Sequence, residues 1–169
     1  MAATISGTTG GIGLIGSATA QNSTSGTSID FTGIPAGVKR VTVMFNGVST
    51  NGTSIPQIQI GAGGVETTGY SSTASFAATG NQTQYLTSGF AISTGGVQTA
   101  SAFLSGAVTL TLVGGNTWVG SGNISSGAVA VSMACAGSKT ASGTLDRVRI
   151  TTVNGTDAFD AGTINILYE

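Results

Sequence analysis

Apolar and polar residues alternate one by one along most of this chain, and no stretch sustains a helical period. Strict alternation sends successive side chains to opposite faces of an extended backbone, so it commits the chain to half-buried strands. In VKRVTVMFNGV, Val41, Val43 and Phe45 share one face while Arg40, Thr42 and Met44 share the other. The same pattern sets Ile58 and Ile60 against Gln57 and Gln59, and Val108, Leu110 and Leu112 against Thr109 and Thr111. Val129, Val131 and Met133 alternate with small residues, Val148 and Ile150 oppose Arg147, Arg149 and Thr151, and TINILYE closes the series.

Between these stretches lie Asn-Gly pairs at Asn46-Gly47, Asn51-Gly52 and Asn154-Gly155. Their ease at positive φ suits tight hairpin turns. Many short strands with frequent turns predict an all-β fold, an antiparallel β-sandwich or jelly-roll-like domain. Because alternation starts only near SIDF, residues 1–24 are expected to form an extended N-terminal arm and residues 25–169 the sandwich. From about Tyr70 to Asn123 the patterning weakens among Gly, Ser and Thr, which predicts loops carrying a variable, outward surface.

Only 7% of the 169 residues are charged, against about a quarter in an ordinary soluble domain. With a net charge of −1 there is no basic face for nucleic acid or an anionic membrane. An uncharged surface gives copies little mutual repulsion, so self-association is expected. The opening residues carry no basic region followed by a long apolar one, and no stretch approaches the about 18 apolar residues of a membrane span. Neither a typical export signal nor membrane insertion is therefore expected. Five N-x-S/T sequons, at Asn22, Asn51, Asn81, Asn123 and Asn154, are what a Ser- and Thr-rich chain produces by chance.

Near the start, GIGLIG satisfies G-x-G-x-x-G at Gly11, Gly13 and Gly16, with Asp30 at about the distance of a ribose-binding acid. That motif works only between a buried strand and a helix whose amides meet the pyrophosphate. Here MAATISGTT precedes it and SATAQNSTSGTS follows it, and neither suits its neighbouring role. The reading preferred is an extended Gly-rich arm, and no cofactor is expected.

The chain contains no histidine, which removes Ser-His-Asp and Cys-His arrangements and the commonest metal ligand together. Asp157, Asp160 and Glu66 could in principle supply the paired carboxylates of a glycan-cleaving enzyme, and the two aspartates part of a calcium site. Turn-building is the simpler role for aspartates in TDAFDAG, so no catalytic residue and no metal site are expected. Arg147 and Arg149 share a strand face and read as structural partners of Asp146, Asp157 or Asp160. Trp118 is read as a core anchor in preference to a sugar-stacking platform. Cys135 has no cysteine or histidine companion and reads as a small apolar filler.

Two stretches, TSGTSIDFTGIPAGVKRVTVMFNGVSTNGTSIPQIQIG and TLDRVRITTVNGTDAFDAGTINILYE, resemble a module of tailed-bacteriophage virion proteins, found especially at the C-terminal ends of tail-fibre-like proteins. They cover somewhat over a third of the chain. The resemblance implies a β-rich, homotrimeric component of the virion surface, synthesised in the bacterial host cytoplasm, and transfers no catalytic residue. Fibre ends of this kind usually follow a long shaft, whereas here the arm precedes the module. Two functions stay open: a short tail-fibre-type adhesin that meets a host-surface glycan or protein, and a capsid decoration or cement protein that stabilises the head. In either case the arm is expected to dock on another virion protein, with Ile5, Ile12, Leu14 and Ile15 as its anchors.

Overall fold

The computed structural model describes residues 4–6, 12–14, 16–77 and 82–169. Fifteen strands and no helix make up its regular structure among the described residues. In chain order they are β1 (Thr4–Ser6), β2 (Ile12–Leu14), β3 (Gly16–Ser17), β4 (Gln21–Asn22), β5 (Ser28–Thr32), β6 (Arg40–Thr50), β7 (Pro56–Gly61) and β8 (Tyr70–Phe76). They continue as β9 (Gln82–Leu86), β10 (Phe90–Ala91), β11 (Leu104–Gly114), β12 (Thr117–Ser126), β13 (Val131–Thr140), β14 (Arg147–Thr152) and β15 (Phe159–Tyr168). Every pairing is antiparallel.

Two sheets form the sandwich. The larger, of nine strands, runs β3-β15-β6-β11-β12-β13-β8-β9, with β4 also paired to β15, and the smaller runs β10-β7-β14-β5. From β5 to β7 and again from β13 to β15 the chain changes sheet at every step, which is the jelly-roll-like feature of the fold. Alternation explains the layers. Val41, Val43 and Phe45 of β6, Val108 and Leu110 of β11 and Ile164 and Ile166 of β15 enter one buried cluster with Ile58, Ile60, Val148 and Ile150 of the smaller sheet. The strand β7 departs from the half-buried expectation. Its glutamines Gln57 and Gln59 are buried too, because residues 87–89 cross the sheet's outer side. The Ser88 hydroxyl donates to Gln57 Oε1 (2.8 Å) and Gln59 Nε2 donates to the Ser88 carbonyl (2.9 Å), so these buried amides are satisfied.

The Asn-Gly pairs do not form the tight hairpins expected of them. Asn46-Gly47 lies inside β6, where Gly47 takes φ +63° and its N–H donates to Ser105 Oγ at 2.9 Å. Register shifts fall beside it in both neighbours, between Leu104 and Gly106 on β11 and across Ala161 and Thr163 on β15. Gly106 (φ +142°) and Gly162 (φ +95°) complete a line of bulges that creases three adjacent strands. The other two pairs mark sheet changes: Asn51-Gly52 leads from β6 to β7, and Asn154-Gly155 from β14 to β15. The tight two-residue hairpin is instead Gly115-Asn116, between β11 and β12, with Gly115 at φ +54°.

The middle segment is also corrected. Much of residues 70–123 is strand, and β11, β12 and β13 are the centre of the larger sheet. Even the irregular stretch after β10 is largely inside, with Ile92, Ser93, Thr94, Val97 and Gln98 buried. At the other end, residues from Gly16 onward run along the β15 edge. Ser23 is fully buried, donates its backbone N–H to the Gly162 carbonyl (3.0 Å) and its hydroxyl to the Ala161 carbonyl (2.8 Å).

Candidate functional site

The acidic residues are the natural starting point, since any hydrolytic or cation chemistry must use them. Asp157 and Asp160 sit where the two sheet-changing turns meet. Asp157 accepts the Ser54 backbone N–H (2.8 Å) and the Asn154 side-chain amide (2.6 Å). The Asn154 amide, then the Ser54 N–H, hold the Asp157 carboxyl below the usual range. Asn154 Oδ1 in turn accepts the N–H groups of Thr156 and Asp157, and Asn51 Oδ1 accepts that of Ala158. Gly52 is required here because a Cβ would lie 2.1 Å from Asp157 Oδ2. Asp160, on β15, accepts the Ser49 hydroxyl across to β6. This corner is a clasp that joins the exits of β6 and β14.

Glu66 belongs to a second, more buried cluster. Its carboxylate meets Lys139 Nζ at 2.6 Å and accepts both the Ser142 N–H (2.9 Å) and hydroxyl (2.8 Å). Desolvation pushes the Glu66 carboxyl up, but Lys139 and the Ser142 donors together outweigh it and hold the group below its ordinary value. The ammonium also lies 5.3 Å from the Tyr70 ring centroid. The Tyr70 hydroxyl is bonded to the Ile60 N–H and to the Ile60 and Glu66 carbonyls, and burial pushes its pKa well above the usual phenol value. Tyr70 stands edge-on to Phe90, with centroids 5.3 Å apart.

The remaining carboxylates are paired as well. Arg149 grips Asp30 with two bonds (2.7 and 2.8 Å), Arg147 grips Asp146 (2.7 and 3.1 Å), and Arg40 meets Glu169 (2.6 Å). The expected structural role of Arg147 and Arg149 therefore holds, with Asp146 and Asp30 as the partners. Asp157 and Asp160, the other candidates, are engaged elsewhere. All six carboxylates of the chain thus hold turns or strands together. Among the described residues no three His, Cys, Asp or Glu side chains come together as a metal site would need.

Other sequence candidates fall into place by burial. Trp118 is 2% exposed and anchors the core. Cys135 is buried, donates weakly to the Gly122 carbonyl (3.4 Å) and has its thiol pushed up to about 11 by burial, which makes it a poor nucleophile. In the GIGLIG stretch, Gly13 is on β2 and Gly16 on β3, where it packs against the Tyr168 ring; no helix follows. Gly11 lies outside the described residues. Of the four proposed anchors of the arm, Ile5 is on β1 opposite Gly13, and Ile12 and Leu14 are on β2 opposite Ser6 and Thr4. Ile15 lies outside the described residues. A groove of about 540 Å³ opens beside residues 17–21, between β5 and β15, lined in part by Gln21, Asp30, Thr32 and Tyr168.

Two surfaces remain, the outer faces of the sheets, and they differ in chemistry. The smaller sheet carries Asp30, Arg147 and Arg149 outward. Across the larger sheet the register aligns Thr42, Thr109, Ser121, Ala136, Thr73 and Tyr85 in one row, and Met44, Ala107, Asn123, Ala134 and Ser75 in the next. Neither row contains a charge. Sequence reasoning foresaw small and hydroxyl-bearing second faces but not that they would join into one surface, because the order of the strands is not written in any one of them.

No family model matches the chain, and no curated protein matches it. Among solved structures, a marine PL-14 alginate lyase from Aplysia kurodai aligns over 99% of this chain and 85% of its own at 8% identity, with a TM-score of 0.36. Scytalido-glutamic peptidase, bound to a peptide-based transition-state analogue, aligns over 84% of this chain and 73% of its own at 11% identity, with a TM-score of 0.30. Likenesses this slight transfer neither fold nor activity.

Proposed function

We propose that this chain is a non-enzymatic, self-associating structural protein of a phage virion surface, a short tail-fibre-type module that contacts the host. The observation that carries the reading is where the two resembling stretches go. Residues 24–61 supply β5, β6 and β7, and residues 144–169 supply β14 and β15. Far apart in sequence, they pair in space: β14 lies between β5 and β7, and β15 lies against β6. The resemblance thus follows one contiguous half of the sandwich, as a shared framework would. The intervening residues build the other half, from β8 to β13, and their connecting loops are where a host contact would differ. The engagement of every carboxylate in structure supports a protein without hydrolytic chemistry.

Quantifying the protein against the major capsid protein in purified particles tests the reading. A few copies per particle, with host adsorption lost when the protein is absent, is the expected result. A ratio near one to one, with heat-fragile heads and normal adsorption, would refute the fibre assignment in favour of capsid decoration. Absence from particles would refute both.

A further inference from the structure

We propose that the outer face of the larger sheet, free of charge from β11 to β9, is the surface through which copies of this chain associate. The inference rests on the self-association in the reading above, but not on a place in a virion. A sheet face left to water ordinarily carries charged or long polar side chains, which solubilise it and oppose stacking. Of the eleven charged residues in the chain, three border this face, all on its β15–β6 side: Arg40 with its partner Glu169, and Asp160, exposed on β15 and bonded to Ser49. The opposite outer face of the same sandwich carries Asp30, Arg147 and Arg149, whereas the outward positions of β11, β12, β13, β8 and β9 carry no charge.

What the face offers instead is small and level. The row from Thr42 through Thr109, Ser121 and Ala136 to Thr73 crosses five strands with no side chain larger than threonine. Met44 and Val119 stand exposed in the rows on either side of it, and Tyr85 at its far end, as apolar points. Rows of this kind permit two sheets to approach to about 10 Å, as stacked sheets do. Six strands at about 4.8 Å spacing, with three outward side chains about 7 Å apart along each, present about 600 Å². Two such faces bury about 1,200 Å², which reaches the size of specific, stable interfaces. A second copy is the fitting occupant, because an uncharged hydroxyl-rich face has no complement to recruit from a charged partner and is matched by itself.

Light scattering of the full chain over a wide concentration range, with Ser121→Arg and Thr73→Arg compared with Thr32→Arg on the opposite sheet, tests the proposal. The expected result is an oligomer that falls to the 16.4 kDa monomer in both face variants and persists in Thr32→Arg. Unchanged strand circular dichroism establishes that the variants fold. Should they not, oxidative footprinting of the unaltered chain decides: Met44 and Tyr85 should be modified severalfold more slowly at high concentration than at low. A chain that stays monomeric, or an oligomer that both face variants and the footprint leave untouched, overturns the proposal. The copy number in particles can fail independently of either outcome.

Discussion

At the scale of single residues, the Glu66 and Lys139 pair is the most sensitive point. Replacing Glu66 with Gln leaves the Lys139 ammonium buried without its counter-charge, and stability should fall by about 2–3 kcal/mol, somewhat less than for a fully enclosed pair. The pair also sets a pH dependence. The folded carboxyl titrates below its ordinary value of 4.5, so the unfolded chain takes up the proton first. The contribution is complete above that unfolded value and is lost as pH falls through the folded one. Denaturant unfolding from pH 6 downward should show the advantage over Glu66→Gln shrinking on acidification; a constant difference would contradict the assignment. Trp118→Ala should cost about 3–5 kcal/mol, as for other large aromatics in a packed core. Both core roles of Trp118 and Cys135 were readable from the sequence, since a chain this poor in aromatics has few ways to fill a core. The partner of Glu66 was not, because Lys139 lies on a strand whose register against β8 emerges only in the assembled sheet.

Strands and their joints come next. The alternating stretches that became β6, β14 and β15 were legible because most of their inner positions, such as Val41, Val43, Phe45, Val148, Ile150, Ile164 and Ile166, are large and apolar. The middle was not, because the inner side of β12 includes Gly120, where a Cβ would lie 2.9 Å from Leu110 and 3.0 Å from Phe90. A neighbour fills the space that local patterning would assign to the residue itself. Asn-Gly chemistry likewise fixed a local backbone shape without saying which sheet the next strand joins. The crease makes a sharp test. At Gly162 both a positive φ and a Cβ 2.5 Å from the Gly47 carbonyl oppose a side chain, whereas Gly33 has a positive φ and open space. Gly162→Ala should therefore cost at least about 2 kcal/mol and Gly33→Ala about 1 kcal/mol, measured by thermal unfolding. Equal costs would mean that the three bulges do not interlock. Truncation probes the edge that borders the crease along β15: removal of residues 1–15 should leave the unfolding midpoint nearly unchanged, while removal of residues 1–24 takes away β3, β4 and buried Ser23 and should lower it.

For the molecule as a whole, the assignment of its carboxylates to structure predicts inertness. Incubation with host capsular polysaccharide should yield no cleavage; cleavage abolished by Asp157→Asn in a folded variant would reverse the reading. The position of β15 has a consequence of a different kind, in time. Lying between β6 and the short strands β3 and β4, it is the piece without which that side of the larger sheet stays unpaired. Arg40 and Glu169, which seal that seam, are 129 residues apart. At about 5–20 residues per second of synthesis, roughly ten seconds separate the emergence of one side from the other. Through that interval β6 offers an unpaired edge to any strand nearby, including those of sister chains on the same message. Dense expression should then favour entangled products over folded ones, and slowing initiation, more than stabilising the finished fold, should be the effective remedy.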